Sequence, residues 1–409
     1  MDGLNFFKGN QFGFIRHSCC LSAAYQLVDF IKSSYRKKFV AVIFIDLKCA
    51  FDTVDPYRHS LKLKRIGLSD RAADLMMSYL CNRSTATTIK NNCSSFRSVS
   101  VGVAQGSKMG PLHFIIYIAD ILTLGLLGRL ILYADDTALH YACDTAEELE
   151  NAMQRDILIL NEWLNRNVLT MNIAKTCYMT FGKARKLPDF NILINGEVIK
   201  RVATFKYLGL ILDDNLSFKA HIEHVKKMIR PFIPLMWRRG KYIPMSKRKQ
   251  IYFAYVQSHI EYMLPIYSVG SKAKLNQLQR VQNRCIKALF QLPRFTPTTY
   301  LYSTTILPVH KLAAVERITY LHKIVKSLVK HNFDIRLNSD IHAHRTRQAD
   351  NLNCPDKHPA LIQSVHEYNR YCRHLKQLDC VKTFKTKLKT EIMMNCSDYK
   401  MISPYFYLN

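Results

Sequence analysis

The sequence predicts an α+β protein in which a sheet carries acidic residues on one rim and the C-terminal half is helical and basic. Three observations lead there. Residues 40–46, Val-Ala-Val-Ile-Phe-Ile-Asp, form a continuous apolar run too short for a helix, which reads as a buried strand delivering Asp46 to its tip. Residues 130–142 hold two apolar, strand-like runs around Asp135-Asp136, the pattern of a β-hairpin whose connection carries adjacent carboxylates. From Leu216 onward basic helical segments predominate, punctuated by Pro231, Pro234 and Pro244.

Aspartate in a hairpin turn is ordinary turn chemistry. The acid at the end of a separate strand changes its weight. If the two strands lie side by side, Asp46, Asp135 and Asp136 converge on one rim. Such a cluster repels itself and is tolerable only with a cation between its members. An all-oxygen ligand set selects Mg²⁺ or Mn²⁺ over zinc. In-line phosphoryl transfer by two metal ions is the chemistry that needs this arrangement.

The remaining elements follow in chain order. Residues 22–31 carry an amphipathic helical pattern. After the Asp46 strand, residues 56–66 and 70–80 read as helices separated at Gly67, with Asp52 and Asp55 capping the following turn or helix. Residues 86–90 and 96–101 read as two strands around Asn91-Asn92. They lead to a loop in which Gly102, Gly106 and Gly110 allow main-chain donors to approach a ligand. Thr145-Ala146-Glu147-Glu148 is a capping box, followed by Leu149, Met153, Ile157, Leu160 and Leu164 at helical spacing, a stripe that belongs to the core. Lys175 stands on a turn into a strand at 177–181, where it is either a functional cation or a solvated one. Asn195-Gly196 marks a hairpin within 191–200, residues 205–212 read as one further strand, and helices continue past Pro308 to about Leu328.

Composition narrows the class. The chain has 409 residues, 48% hydrophobic and 22% charged, values of a globular protein with room for two or three subdomains. Its formal charge of +28 implies a polyanionic partner, because Lys and Arg gain affinity by releasing counterions from phosphate backbones. The surplus concentrates between residues 219 and 300, where sixteen Lys and Arg face two acids, Glu223 and Glu261. Tyr207, Phe218, Trp237, Tyr242, Tyr252, Phe253 and Tyr255 lie in or beside that stretch. They read either as a stacking surface for nucleic acid or as the core of packed helices. Twelve cysteines without tight repeated spacing suggest reduced thiols in an intracellular protein, nuclear or cytoplasmic. Cys354-x-x-x-His358 and Cys372-x-His374 hint at zinc, but no four-ligand set follows. Residues 1–20 lack the apolar stretch of a signal peptide. Asp120 and Arg129 interrupt the apolar residues 114–132, so no membrane partner is expected.

Tyr133-Ala134-Asp135-Asp136 resembles the catalytic box of reverse transcriptases. It is joined in order by Phe44-Ile45-Asp46-Leu47-Lys48-Cys49-Ala50-Phe51-Asp52-Thr53-Val54-Asp55, by Gln105-Gly106-Ser107-Lys108-Met109-Gly110-Pro111, by the stretch from Trp163 through Asn172-Ile173-Ala174-Lys175-Thr176, and by Lys206-Tyr207-Leu208-Gly209. Together these resemble the polymerase of non-LTR (LINE-type) retrotransposons, in particular the jockey-like elements. The resemblance implies a right-hand polymerase: an antiparallel palm sheet packed on helices, partial fingers and a helical thumb. Partial fingers are expected over 1–38, a palm with embedded finger segments over 39–215, a basic thumb over 216–330 and a basic tail of unknown role over 331–409. Only ten residues precede Gln11, so the family's endonuclease and earliest finger motifs are expected to be missing.

By the same resemblance the protein is an RNA-directed DNA polymerase, its partners an RNA template, a DNA primer and dNTPs. Asp46, Asp135 and Asp136, with the carbonyl of Leu47, are implied to hold Mg²⁺, or Mn²⁺, and Lys175 to help protonate the departing pyrophosphate. Phe51 corresponds to the aromatic beneath the sugar that disfavours a 2′-hydroxyl; its plain reading is a core phenylalanine. Gln105 and Gly106 correspond to nucleotide contacts, and Arg16, Tyr133, Tyr207, Leu208 and Gly209 to primer and template contacts. The chain departs from the family pattern at Ile15, where Arg is usual, at Ala104, where Pro is usual, and at Ala119, where Asn is common. Two other readings stand beside the polymerase: a degenerate, inactive copy that only binds nucleic acid, and a basic RNA-binding scaffold whose acids merely stabilise turns.

Overall fold

The computed structural model describes residues 10–34, 38–182, 188–301, 304–338, 351–353, 358–371 and 374–394. Two compact units emerge, one comprising Met1–Ala23 and Ser34–Ala203, the other Ala24–Ser33 and Thr204–Asn409. The first helix, α1 (Cys20–Ser34), contributes residues to both.

In the first unit the chain runs through β1 (Phe39–Ile45), β2 (Leu47–Lys48), α2 (Pro56–Arg65) and α3 (Asp70–Ser78). Four short strands follow, β3 (Arg83–Thr85), β4 (Thr88–Ile89), β5 (Asn92–Cys93) and β6 (Arg97–Val99), and then the helix α4 (Gly110–Tyr117). Next come β7 (Arg129–Tyr133), β8 (Asp136–Cys143), α5 (Ala146–Arg166), β9 (Thr170–Met171) and β10 (Cys177–Phe181). The unit ends with β11 (Leu193–Ile194), β12 (Glu197–Val198) and β13 (Lys200–Arg201). Five strands make the central sheet in the order β13-β10-β1-β8-β7. β1 sits in the middle, antiparallel to both β8 and β10, with Ile45 opposite Thr137 and Phe44 opposite Cys177. A strand paired on both edges and buried on both faces cannot alternate polar and apolar residues, which explains its unbroken apolar run.

α5 begins with the capping box read from sequence. Thr145 Oγ1 accepts from the Glu148 amide at 3.1 Å and the Glu148 carboxylate accepts from the Thr145 amide at 3.2 Å. Such a cap stabilises a helix by about 1 kcal/mol. Leu149, Met153, Ile157, Leu160 and Leu164 are all buried, in one core with Ala41, Ile43, Ile45, Leu130, Leu132 and Leu139 of the sheet. Asp55 caps α2, accepting from the Arg58 amide at 2.7 Å. Asp52 does not cap; its carboxylate instead accepts from Gln105 Nε2 at 2.7 Å.

Strand boundaries differ from expectation in two places. The 83–99 ribbon is two short ladders, and its tip is Lys90-Asn91, one residue earlier than Asn91-Asn92; Lys90 takes the left-handed φ of 53°. Residues 205–212 are not one strand but a hairpin of β14 (Thr204–Tyr207) and β15 (Leu210–Asp213). Leu208 and Gly209 turn it with φ of 46° and 82°. Leucine at a positive φ is uncommon, so the apolar run masks the reversal. This hairpin packs with the helix α6 (Lys219–Ile229), and the unit boundary therefore falls after residue 203, not at 215.

The second unit continues with α7 (Phe232–Arg239), α8 (Met245–Ile251), a π-helical stretch at Tyr252–Gln257, α9 (Ser258–Glu261), α10 (Leu264–Tyr267), α11 (Lys272–Phe290), α12 (Thr298–Leu301) and α13 (Val309–Val325). α13 is buried nearly all round, and helices Ile362–Tyr371 and Val381–Met394 pack on it, so these parts of the expected tail build core. Buried Arg317 ties in the first of these through Glu367 and donates also to Ser268. Asp29 of α1 accepts from the Ala360 amide at 3.0 Å and pairs with His358 at 2.8 Å. His374 pairs with Glu391 at 3.3 Å. Cys354, Cys372 and residues 342–347 lie outside the described residues. The nine cysteines among the described residues are unbridged, and no described helix is long and apolar enough to cross a membrane.

Because Ile157 is fully buried in the sheet-facing stripe and Leu158 is 48% exposed, Ile157→Ala should lower unfolding free energy by about 2–5 kcal/mol, and Leu158→Ala by less than about 0.5 kcal/mol. Urea melts with unchanged slope would check this.

Candidate active site

The register of β1 against β8 positions the acids. Continuing it one residue past the Ile45–Thr137 pair sets Asp46 opposite Asp136. β7 and β8 close as a hairpin through Tyr133 and Asp136, leaving Ala134 and Asp135 as its two-residue turn. Ala134 holds a left-handed φ of 56°. All three acids of the sequence reading thus belong to one rim of the sheet.

Their electrostatics are coupled. Partial withdrawal from water, then the charges of Asp135 and Asp46, push the Asp136 carboxyl up to about 6. Asp135 is raised as well, chiefly by withdrawal from water, with the Asp46 charge adding and backbone hydrogen bonds opposing. Asp46 has its own partners: Oδ2 accepts from Asn172 Nδ2 at 2.8 Å, and Lys175 Nζ lies 3.9 Å from the same oxygen. The Asp46 amide donates to Thr176 Oγ1 at 3.3 Å, and its carbonyl accepts from the Asn172 amide at 2.8 Å.

The expected convergence needs one correction. Among the described residues no group of three or more His, Cys, Asp or Glu side chains is placed to hold a metal ion. Asp46 takes Asn172 and Lys175 as partners. The donor set still suits a hard dication, since its ligands are all oxygen and two of its carboxyls are raised, by withdrawal from water first and by neighbouring negative charge second.

Around the rim, half-buried Phe51 stacks on Phe114 with ring centroids 4.3 Å apart, so one face packs on the core. Leu47 follows Asp46 and pairs with Met171 across β2 and β9. Gln105 is tethered to Asp52, and Gly106 has a φ of 80° with open space where a Cβ would stand. Arg16 is exposed and Tyr133 half-buried. Tyr207, Leu208 and Gly209 belong to the second unit, at the β14–β15 turn, where Tyr262 Oη donates to the Leu208 carbonyl at 2.7 Å. A Cβ on Gly209 would come within 2.8 Å of the Tyr262 ring. A groove of about 260 Å³ begins there, lined by Gly209, His221, His224, Met228, His259 and Tyr262 among others.

The aromatic residues of the basic stretch divide. Tyr207, Phe218 and Tyr252 are core, whereas Trp237, Tyr242, Phe253 and Tyr255 are exposed, with Arg238, Arg239 and Lys241 exposed in the same segment as the first two.

Two supports of the rim escaped the sequence reading. Gln11 Oε1 accepts from the Gly13 amide at 2.8 Å and from the Ala134 amide at 3.1 Å, bracing the acid-bearing turn. Gly13 lies so close that a Cβ would sit 2.3 Å from Ala134 N. Asn172 and Thr176 brace Asp46 from the other side. Asn172 and Thr176 lie within a recognised motif, but only the fold reveals that Gln11 and Asn172 have partners 123 and 126 residues away.

Comparison with known proteins identifies the family. The family model described as reverse transcriptase (RNA-dependent DNA polymerase) matches residues 1–212. The probable RNA-directed DNA polymerase from transposon BS of Drosophila melanogaster is 26% identical over 305 residues, 72% of this chain and 34% of that protein. The RNA-directed DNA polymerase from mobile element jockey of Drosophila funebris is 28% identical over 301 residues, 70% of this chain and 32% of that protein. The probable RNA-directed DNA polymerase from transposon X-element of Drosophila melanogaster is 26% identical over 353 residues, 84% and 37% respectively. The chain spans about a third of the length of these relatives. Among solved structures, apo telomerase from Candida Tropicalis aligns with a TM-score of 0.40 at 12% identity over 80% of this chain and 56% of that one, too loosely to bear on the site.

The raised Asp136 carboxyl sets a pH dependence. Below about pH 4 it is protonated in folded and unfolded chains alike; between about 4 and 6 the folded chain keeps a proton that the unfolded chain loses. Stability should therefore fall as pH rises through that window in the absence of divalent ions. Asp136→Asn should flatten the slope and exceed the wild type in stability at pH 7, read from urea melts across pH.

Proposed function

Because the chain belongs to the reverse transcriptase (RNA-dependent DNA polymerase) family, we propose that it is an RNA-directed DNA polymerase of a non-LTR mobile element. It extends a primer 3′-hydroxyl with dNTPs on an RNA template. The observation that carries this reading is the single rim of Asp46, Asp135 and Asp136, whose charges act on one another across the β1–β8 ladder. The names of its relatives, RNA-directed DNA polymerases from transposons and mobile elements, point the same way.

Asp46, Asp135 and Asp136, with the Leu47 carbonyl, are the groups that would hold Mg²⁺, or Mn²⁺ in its place. When bound, such ions acidify the primer hydroxyl and neutralise charge on the pyrophosphate leaving group. The chain's own residues do the rest. Lys175, whose Nζ lies 3.9 Å from Asp46 Oδ2, is the group that would help protonate the departing pyrophosphate. Phe51, backed by Phe114, offers a firm aromatic surface beneath the sugar, against which a 2′-hydroxyl is disfavoured. Gln105, held by Asp52, and the open main chain at Gly106 orient the incoming nucleotide. Arg16, Tyr133 and the turn at Tyr207, Leu208 and Gly209 contact primer and template. Trp237, Arg238, Arg239, Lys241 and Tyr242 supply phosphate contacts and stacking faces to the strands.

A second reading, a nucleic-acid binder that no longer polymerises, draws on the Asp46 carboxylate being taken up by Asn172 and on the departures at Ile15, Ala104 and Ala119. Primer extension on a poly-rA/oligo-dT duplex separates the two. The wild type should incorporate dNTPs only with a divalent ion, and Asp135→Asn should reduce incorporation about a thousandfold or more with duplex binding retained. Undiminished extension by that variant would refute the site, and binding without extension by the wild type would favour the second reading.

Removing charge from the second unit should act differently. Arg238→Ala with Arg239→Ala should weaken duplex binding for every sequence alike and reduce the slope of log K against log salt by about 1 to 2. Fluorescence anisotropy over a salt series measures it.

A further inference from the structure

We propose that Asn172 is a positioning residue that fixes which oxygen of Asp46 is presented to a divalent cation, an inference that rests on the polymerase reading of the rim. Asn172 Nδ2 donates to Asp46 Oδ2 at 2.8 Å, and the nearest cation, Lys175 Nζ, approaches that same oxygen. Oδ1 is engaged by neither. One oxygen is thereby occupied by the protein and the other is left for a ligand, so the carboxylate would present Oδ1 to an ion.

The main chain around Asn172 makes the side chain's role separable. Its amide donates to the Asp46 carbonyl at 2.8 Å, and its own carbonyl accepts from the Lys175 amide at 3.1 Å and the Thr176 amide at 2.8 Å. Thr176 Oγ1 then accepts from the Asp46 amide. Two of these hydrogen bonds tie the turn to Asp46 at the end of β1 and two close the turn on itself, all without the Asn172 carboxamide. That leaves the carboxamide's bond to Asp46 as an orienting contact on a carboxylate that β1 and β2 already anchor. A group that holds a metal ligand in this way is typically worth about 10- to 100-fold in metal affinity.

The test is Mn²⁺ binding followed by the loss of the free-ion electron paramagnetic resonance signal, on the full chain without nucleic acid. Asn172→Ala should raise the half-saturating Mn²⁺ concentration about 10- to 100-fold and leave the melting temperature in chelator nearly unchanged. Asn172→Leu, an apolar side chain of similar size, should do the same. In an Asp46→Asn background Asn172→Ala should have no further effect, because the contact it removes acts only through that carboxylate. Wild-type Mn²⁺ binding by Asn172→Ala, or equal weakening in both backgrounds, overturns the proposal. Failure of both Asn172 variants to fold overturns it too, since the side chain would then be structural. If Asp46→Asn alone binds Mn²⁺ as the wild type does, the reading of the rim itself fails; if it weakens binding and Asn172→Ala does not, only the positioning role falls.

Discussion

Seven consecutive pairings, from Phe39 with Cys143 to Ile45 with Thr137, lock β1 against β8 and decide where every acid of the rim stands. A slip of one residue would turn Ala41, Ile43 and Ile45 away from the stripe on α5 and move Asp46 off its position opposite Asp136. Burial resists that slip. Each fully buried valine, isoleucine or phenylalanine contributes about 1.5–3 kcal/mol, so several such side chains hold the register against the repulsion of three nearby carboxylates. The rim is thus a locally unfavourable arrangement maintained by an apolar sheet, a cost commonly found where chemistry needs uncompensated charge.

Local bracing refines what the ladder sets up. Gln11 holds the Ala134–Asp135 turn from one side, and the 172–176 turn holds Asp46 from the other. The second unit uses a different device. Its central helix α13 is buried around nearly its whole circumference, and the charged Arg317 inside is paired, forked on Glu367. Breaking such a buried pair leaves a charge without compensation, so the helix Ile362–Tyr371 is bound to α13 by more than apolar contact.

Much of this was legible in the residues. β1 announced itself by an apolar run ending on an acid, the β7–β8 hairpin by paired runs around two aspartates, and α5 by a capping box followed by a regular stripe. Each of these signals is local. The reversal at Leu208-Gly209 was hidden because leucine is a poor predictor of positive φ, and the flanking apolar residues continue a single-strand pattern. The division of aromatics into core and surface was equally hidden, since Phe218 and Tyr242 look alike until helix packing chooses a face. Side-chain bonds such as Gln11 to Ala134 span more than a hundred residues, and no periodicity encodes them.

The central place of β1 also bears on how the chain is made. Its partners lie at residues 136–143 and 177–181, so during synthesis Phe39–Ile45 emerges long before either neighbour exists. At ordinary translation speeds that interval is on the order of ten seconds. An unpaired seven-residue apolar strand is the kind of segment that nucleates cross-chain association. Here it is bracketed by Arg36-Lys37-Lys38 on one side and Asp46 and Lys48 on the other, charges that act as gatekeepers while the strand waits. The same aspartate that the folded sheet carries at its rim thus guards the nascent polypeptide against its own stickiness.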